Sequence, residues 1–418
     1  MGALTGPHTA AFDQPGLCAK CGACSVVCPV FQITGRESAS PRGRIHLLTK
    51  LSAARASTAL ADILCQCLLC GACKATCPRG VDIAGLILAA REELPTLAGG
   101  HPFLKLLARK VLANPALLAG AALADRQIWQ RLPSASGLRL RLGLLGQATP
   151  CTADLPAPQP RQPVAKAKGA GPATVAYFAG CQATYLDPDI SRAVDRLTTR
   201  LLGGATKQPP GQTCCGLASH SAGALKEARR LARANITAFA GNSLPILTSC
   251  ASCHAHLIRY PELFSTDDPW RLQAEEFSGR LREFSSFFCA ALPPATTSPP
   301  TPPVPAIRVF YHDPCHLRFG PTITAEPRQL LARLPGITLT GLPGGPQCCG
   351  EGGLFHLAYP DLADRIGQRL LTSFAALNAD LVTTTCSGCL LQWRRLTRAA
   401  GRPVEVLHLA VLLDRCLP

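Results

Sequence analysis

Apolar residues along this chain alternate between two rhythms. Short strand-like runs occur at residues 174–179, 244–248, 307–311 and 380–384. Between them the pattern turns helical, across 222–240 and across 362–377, where Leu362, Ile366, Leu370, Phe374 and Leu377 recur at intervals of three and four. Strands alternating with helices predict small α/β units with parallel sheets. Ligands carried at the carboxyl ends of such strands converge in one crevice. Two proline-rich stretches, 148–172 and 291–305, break the pattern and read as exposed, partly extended linkers. The longest apolar stretch, 111–124, is interrupted by Asn114 and Pro115, so a membrane-spanning helix is not expected.

Superimposed on this pattern are 22 cysteines, 18 of them in two pairs of repeated arrangements. Two are compact tetrads: Cys18, Cys21, Cys24 and Cys28 followed by Pro29, and Cys67, Cys70, Cys73 and Cys77 followed by Pro78. The spacing C-x2-C-x2-C-x3-C-P suits a cubane 4Fe-4S cluster. Three closely spaced thiolates wrap one face, and the fourth points away to ligate the neighbouring cluster. Crossed ligation then gives one cluster to Cys18, Cys21, Cys24 and Cys77 and the other to Cys67, Cys70, Cys73 and Cys28. Four-cysteine zinc sites are the competing reading, although zinc needs only two close pairs and has no use for the prolines.

The other ten cysteines form two scattered pentads. Cys181, Cys214 and Cys215 each lie 134 residues before Cys315, Cys348 and Cys349, while Cys250 and Cys253 lie 136 before Cys386 and Cys389. A near-constant offset with a two-residue slip is the mark of a duplicated domain. A set of merely structural buried cysteines would not be expected to repeat in this way or to include Cys-Cys-Gly. Gly216 and Gly350, which follow the adjacent cysteines, let the backbone approach a bound group closely.

The pattern C-x32-C-C-G followed by C-x-x-C resembles the cysteine-rich CCG domain of heterodisulfide reductase subunits, glycerol-3-phosphate dehydrogenase anchor subunits and lactate or glycolate oxidation proteins. Two tetrads ahead of two such domains, with Ser40-Pro41-Arg42-Gly43-Arg44-Ile45 between the tetrads, resemble the iron-sulfur subunit of glycolate oxidase and its D-lactate dehydrogenase relatives. The resemblance implies an α+β multidomain protein: a mainly helical two-cluster ferredoxin-like domain (1–95), a basic helical region and linker (96–171), a first CCG domain (172–290), a linker (291–306) and a second CCG domain (307–418). It implies a noncubane 4Fe-4S cluster in one or both pentads. Zinc in one of them, or redox-active thiols without metal, are the alternatives. The expected activity is electron transfer from the FAD of a partner dehydrogenase subunit, acting on glycolate or D-lactate, towards quinone or another acceptor. The rival is a heterodisulfide reductase-like subunit that cleaves a disulfide at a pentad.

Other features narrow this reading. No G-x-G-x-x-G after a strand and no G-x-x-x-x-G-K-[ST] occurs, so a hydride acceptor must come from another subunit. The first residues show neither a basic n-region nor an apolar h-region, and so many thiols suit a reducing cytoplasm. With 47% apolar and 16% charged residues the chain is expected to be globular. Half of its net charge of +16 falls in 101–168, where ten Lys and Arg face Asp125 and Asp154. Leucines interleaved with these bases suit peripheral contact with the anionic cytoplasmic face of a membrane, an acidic partner or a solvated surface. Aromatic residues make up only 5%, which argues against nucleic acid. Cys65, Cys151, Cys289 and Cys416 read as ordinary thiols, Cys65 drawing notice because it precedes a ligand by two. His220, His312, His316 and His356 read as packing or hydrogen-bonding residues, with a supporting role around the cysteines as the alternative.

Overall fold

The computed structural model describes residues 18–50, 57–93, 103–127, 171–292, 307–401 and 404–417. Cys151 and most of the basic segment, including residues 128–168, lie outside the described residues.

Each half of the duplication folds as a four-stranded parallel sheet. The first contains β1 (Gly171–Phe178), β2 (Gly204–Lys207), β3 (Ile246–Thr248) and β4 (Leu281–Glu283), in the order β2-β1-β3-β4. The second contains β5 (Ile307–Tyr311), β6 (Ile337–Thr340), β7 (Leu381–Thr384) and β8 (Glu405–His408), in the matching order β6-β5-β7-β8. Register repeats too, Ala176 pairing with Ile246 as Phe310 pairs with Val382. Connections leave β1 in one direction and return to β3 on the other side. The crevice between the carboxyl ends of these two strands is therefore the topological switch point.

Element boundaries differ slightly from the sequence pattern. β1 takes in Gly171 and Pro172 from the expected linker, since a proline is tolerated at the start of a strand. The first periodic helix begins only at Leu225, because Gly223 turns left-handed (φ 78°) against the Arg91 carbonyl. Its counterpart starts at Pro360, a residue suited to the first helical position, and ends at Ala375.

The tetrad region is a set of short helices around its own small core of Ile45, Leu60, Leu64, Leu86 and Ile87. It docks on both CCG units. Val30 and Leu68 pack with Phe355 and Ile366 of the second, and the Arg91 guanidinium donates to the Ser221 carbonyl of the first at 2.6 Å. The helices Phe103–Leu112 and Pro115–Gln127 follow, with Ala108 packed on Leu354 and Leu357. The two helical segments Leu106–Leu112 and Pro115–Leu123 meet at 104°, and among the described residues no single helix is long and apolar enough to cross a membrane. Arg109 and Lys110 both lie near the Glu227 carboxylate, at 3.3 and 3.4 Å, rather than standing free on the surface.

Candidate metal centres

The two tetrad loops adopt one conformation twice. Lys20 and Leu69 are left-handed (φ 55° and 53°), and so are Gly22 and Gly71 (φ 83° and 81°), so that Cys21 and Cys70 each sit between two reversals of the chain. The glycines then begin the short helices Ala23–Val26 and Ala72–Thr76, which carry Cys24 and Cys73. Pro29 opens the helix Pro29–Thr34 directly after Cys28 and turns the chain away. Cys18, Cys21, Cys24 and Cys77 line one cavity of about 370 Å³, and Cys28, Cys67, Cys70 and Cys73 another of about 380 Å³. Ile83 belongs to both walls.

In the second cavity burial raises the Cys28, Cys70 and Cys73 thiols, which resist ionisation without a cation. Burial, then neighbouring thiols, push Cys70 up to about 12 and Cys73 further in the same direction. The wall of the second cavity also holds Arg44, which is only 1% exposed. Its Nε donates to the Ile63 carbonyl at 3.1 Å, while its Nη2 has no hydrogen-bond partner. A buried guanidinium nitrogen left without an acceptor beside four cysteines fits an anionic occupant, which a thiolate-ligated iron-sulfur cluster is. The residues present thus fit 4Fe-4S clusters.

All ten pentad cysteines line a single cavity of roughly 1080 Å³. Cys181 follows β1 and Cys315 follows β5. Cys250 and Cys386 cap the helices Ala251–Leu257 and Ser387–Ala399 after β3 and β7. The Cys-Cys pairs arrive on loops that end in left-handed glycines, Gly216 (φ 90°) and Gly350 (φ 89°). Their N–H groups point at Cys214 and Cys348 Sγ, at 3.5 and 3.3 Å. Side chains hold these loops from behind: Tyr260 donates to the Cys215 carbonyl at 2.7 Å, Asn235 to that of Cys214 at 3.1 Å, and Gln392 to that of Cys349 at 3.0 Å.

The two copies face each other. Ser252 Oγ lies 3.0 Å from Cys386 Sγ and 2.8 Å from His316 Nδ1, and the Ser387 N–H donates to Cys250 Sγ at 3.4 Å. Within the first pentad the sulfurs touch one another. Cys181 and Cys215 are pushed up by hydrogen bonding to Cys214, which is itself held down by the thiols that donate to it. Cys70 and Leu68 of the second tetrad also line this cavity, so the tetrad and pentad spaces adjoin.

Of the histidines, His312 groups with Cys349 and Cys389 closely enough that the three offer ligand atoms within 4.8 Å of one another. His316 lines the cavity, whereas His220 and His356 pair with Glu92 and Glu351 at 3.0 and 3.1 Å. Cys65 ends the helix Thr58–Cys65 and lines none of these cavities, Cys289 donates to Gln329 Oε1 at 3.0 Å, and Cys416 packs at the edge of the core. Sequence reasoning missed Ser252, Arg91 and the cavity-facing position of Arg44. Only Arg44 had a signal, its place in a distinctive motif.

Comparison with known proteins agrees with this arrangement. Residues 16–81 match the 4Fe-4S dicluster domain, and residues 175–258 and 309–394 each match the cysteine-rich domain called CCG. A probable glycolate oxidase iron-sulfur subunit of Bacillus subtilis (strain 168) is 28% identical over 95% of this chain and 92% of its own length. The glycolate oxidase iron-sulfur subunit of Escherichia coli (strain K12) is 27% identical over 96% of this chain and 93% of its own. Lactate utilization protein A of Geobacillus kaustophilus (strain HTA426) is 28% identical over 57% of this chain and 98% of its own. The chain is a homologue of the glycolate oxidase iron-sulfur subunits over 95% of its length, built from a 4Fe-4S dicluster domain and two CCG domains.

Proposed function

We propose that this chain is the electron-transfer subunit of a flavin-dependent 2-hydroxy-acid dehydrogenase complex, acting between the FAD of a partner subunit oxidising glycolate or D-lactate and a quinone or other acceptor. Cys18, Cys21, Cys24 and Cys77 would hold one 4Fe-4S cluster, and Cys28, Cys67, Cys70 and Cys73 the second. The pentads Cys181, Cys214, Cys215, Cys250, Cys253 and Cys315, Cys348, Cys349, Cys386, Cys389 would hold further iron-sulfur centres or zinc. Clusters bound at these positions supply one-electron redox steps.

The observation that carries this reading is the continuity of the cysteine sets. The first tetrad shares the Ile83 wall with the second, and Cys70 of the second lines the ten-cysteine cavity. A scaffold has no need for such contiguity, and unprotected thiolates would be oxidation hazards. Leu106, Leu107, Leu117 and Leu123 are exposed on the helix pair 103–127, whose neighbouring residue Leu112 lines the same cavity. These exposed leucines support peripheral contact of the complex with the cytoplasmic side of a membrane, the source of a lipid-soluble acceptor.

The convergence of both pentads on one cavity favours one second reading, a heterodisulfide reductase-like site in which a disulfide substrate enters between the pentads. Reconstitution separates the two. With a co-expressed FAD-containing dehydrogenase the complex should reduce a quinone analogue using glycolate or D-lactate, and the purified flavin-free chain should oxidise neither. Hydroxy-acid oxidation by the chain alone would overturn the proposal, and disulfide reduction by the chemically reduced chain would establish the second reading.

A further inference from the structure

The motif Ser40-Pro41-Arg42-Gly43-Arg44 lies at the entry to the helix Pro41–Lys50. Ser40 Oγ accepts the Gly43 N–H at 2.9 Å and donates to Glu37 Oε1 at 3.0 Å, which fixes the first turn. Residues two apart on a helix point in nearly opposite directions, at about 100° per residue. Arg42 accordingly lines the first tetrad cavity and Arg44 the second.

The two cations are not equivalent. The Arg42 side chain is 37% exposed, and Glu37 answers its charge at 2.7 Å. Arg44 is enclosed, has no carboxylate within ion-pair distance among the described residues, and keeps Nη2 unpartnered. The cavities differ in the same sense. The first has the exposed Cys21 at its edge, whereas in the second Cys28 and Cys73 are buried, Cys67 and Cys70 are half-buried, and none is exposed.

We propose that Arg44 is the counter-charge of the second tetrad, holding the reduction potential of a cluster bound by Cys28, Cys67, Cys70 and Cys73 above the value that burial alone would set. This rests on the reading of the tetrads as 4Fe-4S sites. Each added electron makes such a cluster more negative, and a low-dielectric surrounding makes that costly unless a nearby cation compensates. Arg44 is a buried, unneutralised cation at the cavity wall. Arg42, screened by solvent and neutralised by Glu37, does little of this for the first tetrad. The second tetrad lies between the first and the ten-cysteine cavity, so its potential governs whether electrons continue towards the pentads.

The test is an anaerobic redox titration followed by EPR on the full chain with its clusters, comparing wild type with Arg44→Met, Arg44→Gln, Arg44→Lys and Arg42→Met. Cys21→Ser assigns the signal of the first tetrad. Arg44→Met and Arg44→Gln should each lower the reduction equilibrium constant of the second centre at least tenfold, about 59 mV for a one-electron couple. The first centre should stay in place, Arg44→Lys should recover most of the shift, and Arg42→Met should move either centre less. Unmoved potentials, or equal shifts at both centres, would overturn the proposal while leaving the cluster assignment standing. Wild-type protein without iron and sulfide would remove the assignment and the proposal together. Should the neutral variants lose second-centre iron, retention by Arg44→Lys supports a charge role and loss in all three contradicts it.

Discussion

Arg91 joins the tetrad region to the first CCG unit, and its removal should weaken both. Its guanidinium donates to the carbonyls of Leu64, Cys67 and Ser221, with shortest distances of 2.6, 2.7 and 2.6 Å. One of these carbonyls belongs to a cysteine of the second tetrad. Hydrogen bonds from a charged donor contribute about 1.5–3 kcal/mol each when well shielded, and a buried acceptor left unpaired costs about 1–3 kcal/mol. Arg91 is only partly buried, so water can reach some of the vacated carbonyls, and about 1 kcal/mol per bond is the appropriate scale. Arg91→Ala should therefore destabilise the docked arrangement by about 3 kcal/mol. At about 2–4 °C per kcal/mol this lowers the first melting transition by about 6–12 °C. Arg91→Lys keeps the charge, but a single ammonium cannot serve three divergent carbonyls, and it should fall between the two. The assay is anaerobic calorimetry of the metal-loaded chain, with iron retention by the tetrads measured alongside. If Arg91→Ala melted with wild type and kept its iron, the docking of the tetrads on the first CCG unit would not depend on this residue.

Cys28→Ser should deplete the second tetrad, whose other cysteines are 67, 70 and 73, far more than the first; iron analysis with EPR assignment checks this, and equal loss at both would contradict the crossed grouping. Replacing Cys348 and Cys349 together by serine should leave the tetrad EPR signals and partner flavin reduction intact while abolishing acceptor reduction in the assembled complex. Near wild-type acceptor reduction would make the second pentad structural. Gly350→Ala forces a side chain into a left-handed position, costing about 1–2 kcal/mol, and sets its Cβ 2.8 Å from the Ala363 carbonyl. It should strip metal from the second pentad and spare the tetrads. Gly344→Ala, with open space around the new methyl, should melt and bind metal as wild type does.

Features confined to short stretches of sequence were legible. The tetrads announce which cysteines share a cavity because three of each lie within seven residues and the proline after the fourth turns the chain away. The duplication showed in the offsets of Cys181, Cys214 and Cys215 from their counterparts, and the strands preceding Cys250 and Cys386 were apolar enough to find. What joins these parts was not legible. Nothing in the spacing of Cys250-Ala251-Ser252-Cys253 says that Ser252 reaches Cys386, 134 residues away. Such contacts depend on two folded surfaces meeting and leave no periodicity behind. The exposure of Leu106, Leu107, Leu117 and Leu123 on helices 103–127 was masked by the basic composition of this stretch, although two of its bases are drawn to Glu227. Arg44 could be noticed but not interpreted, because a motif gives the residues and the fold gives the direction in which each side chain points.

Iron and acid-labile sulfide analysis of the anaerobically purified chain, with EPR after stepwise reduction, bears on the whole account. The account predicts sulfide together with iron enough for at least two four-iron centres, and two magnetically distinct reduced clusters lost in turn on mutation of Cys21 and Cys70. Zinc in the tetrads without sulfide would contradict it, and with it any role for this chain in carrying electrons.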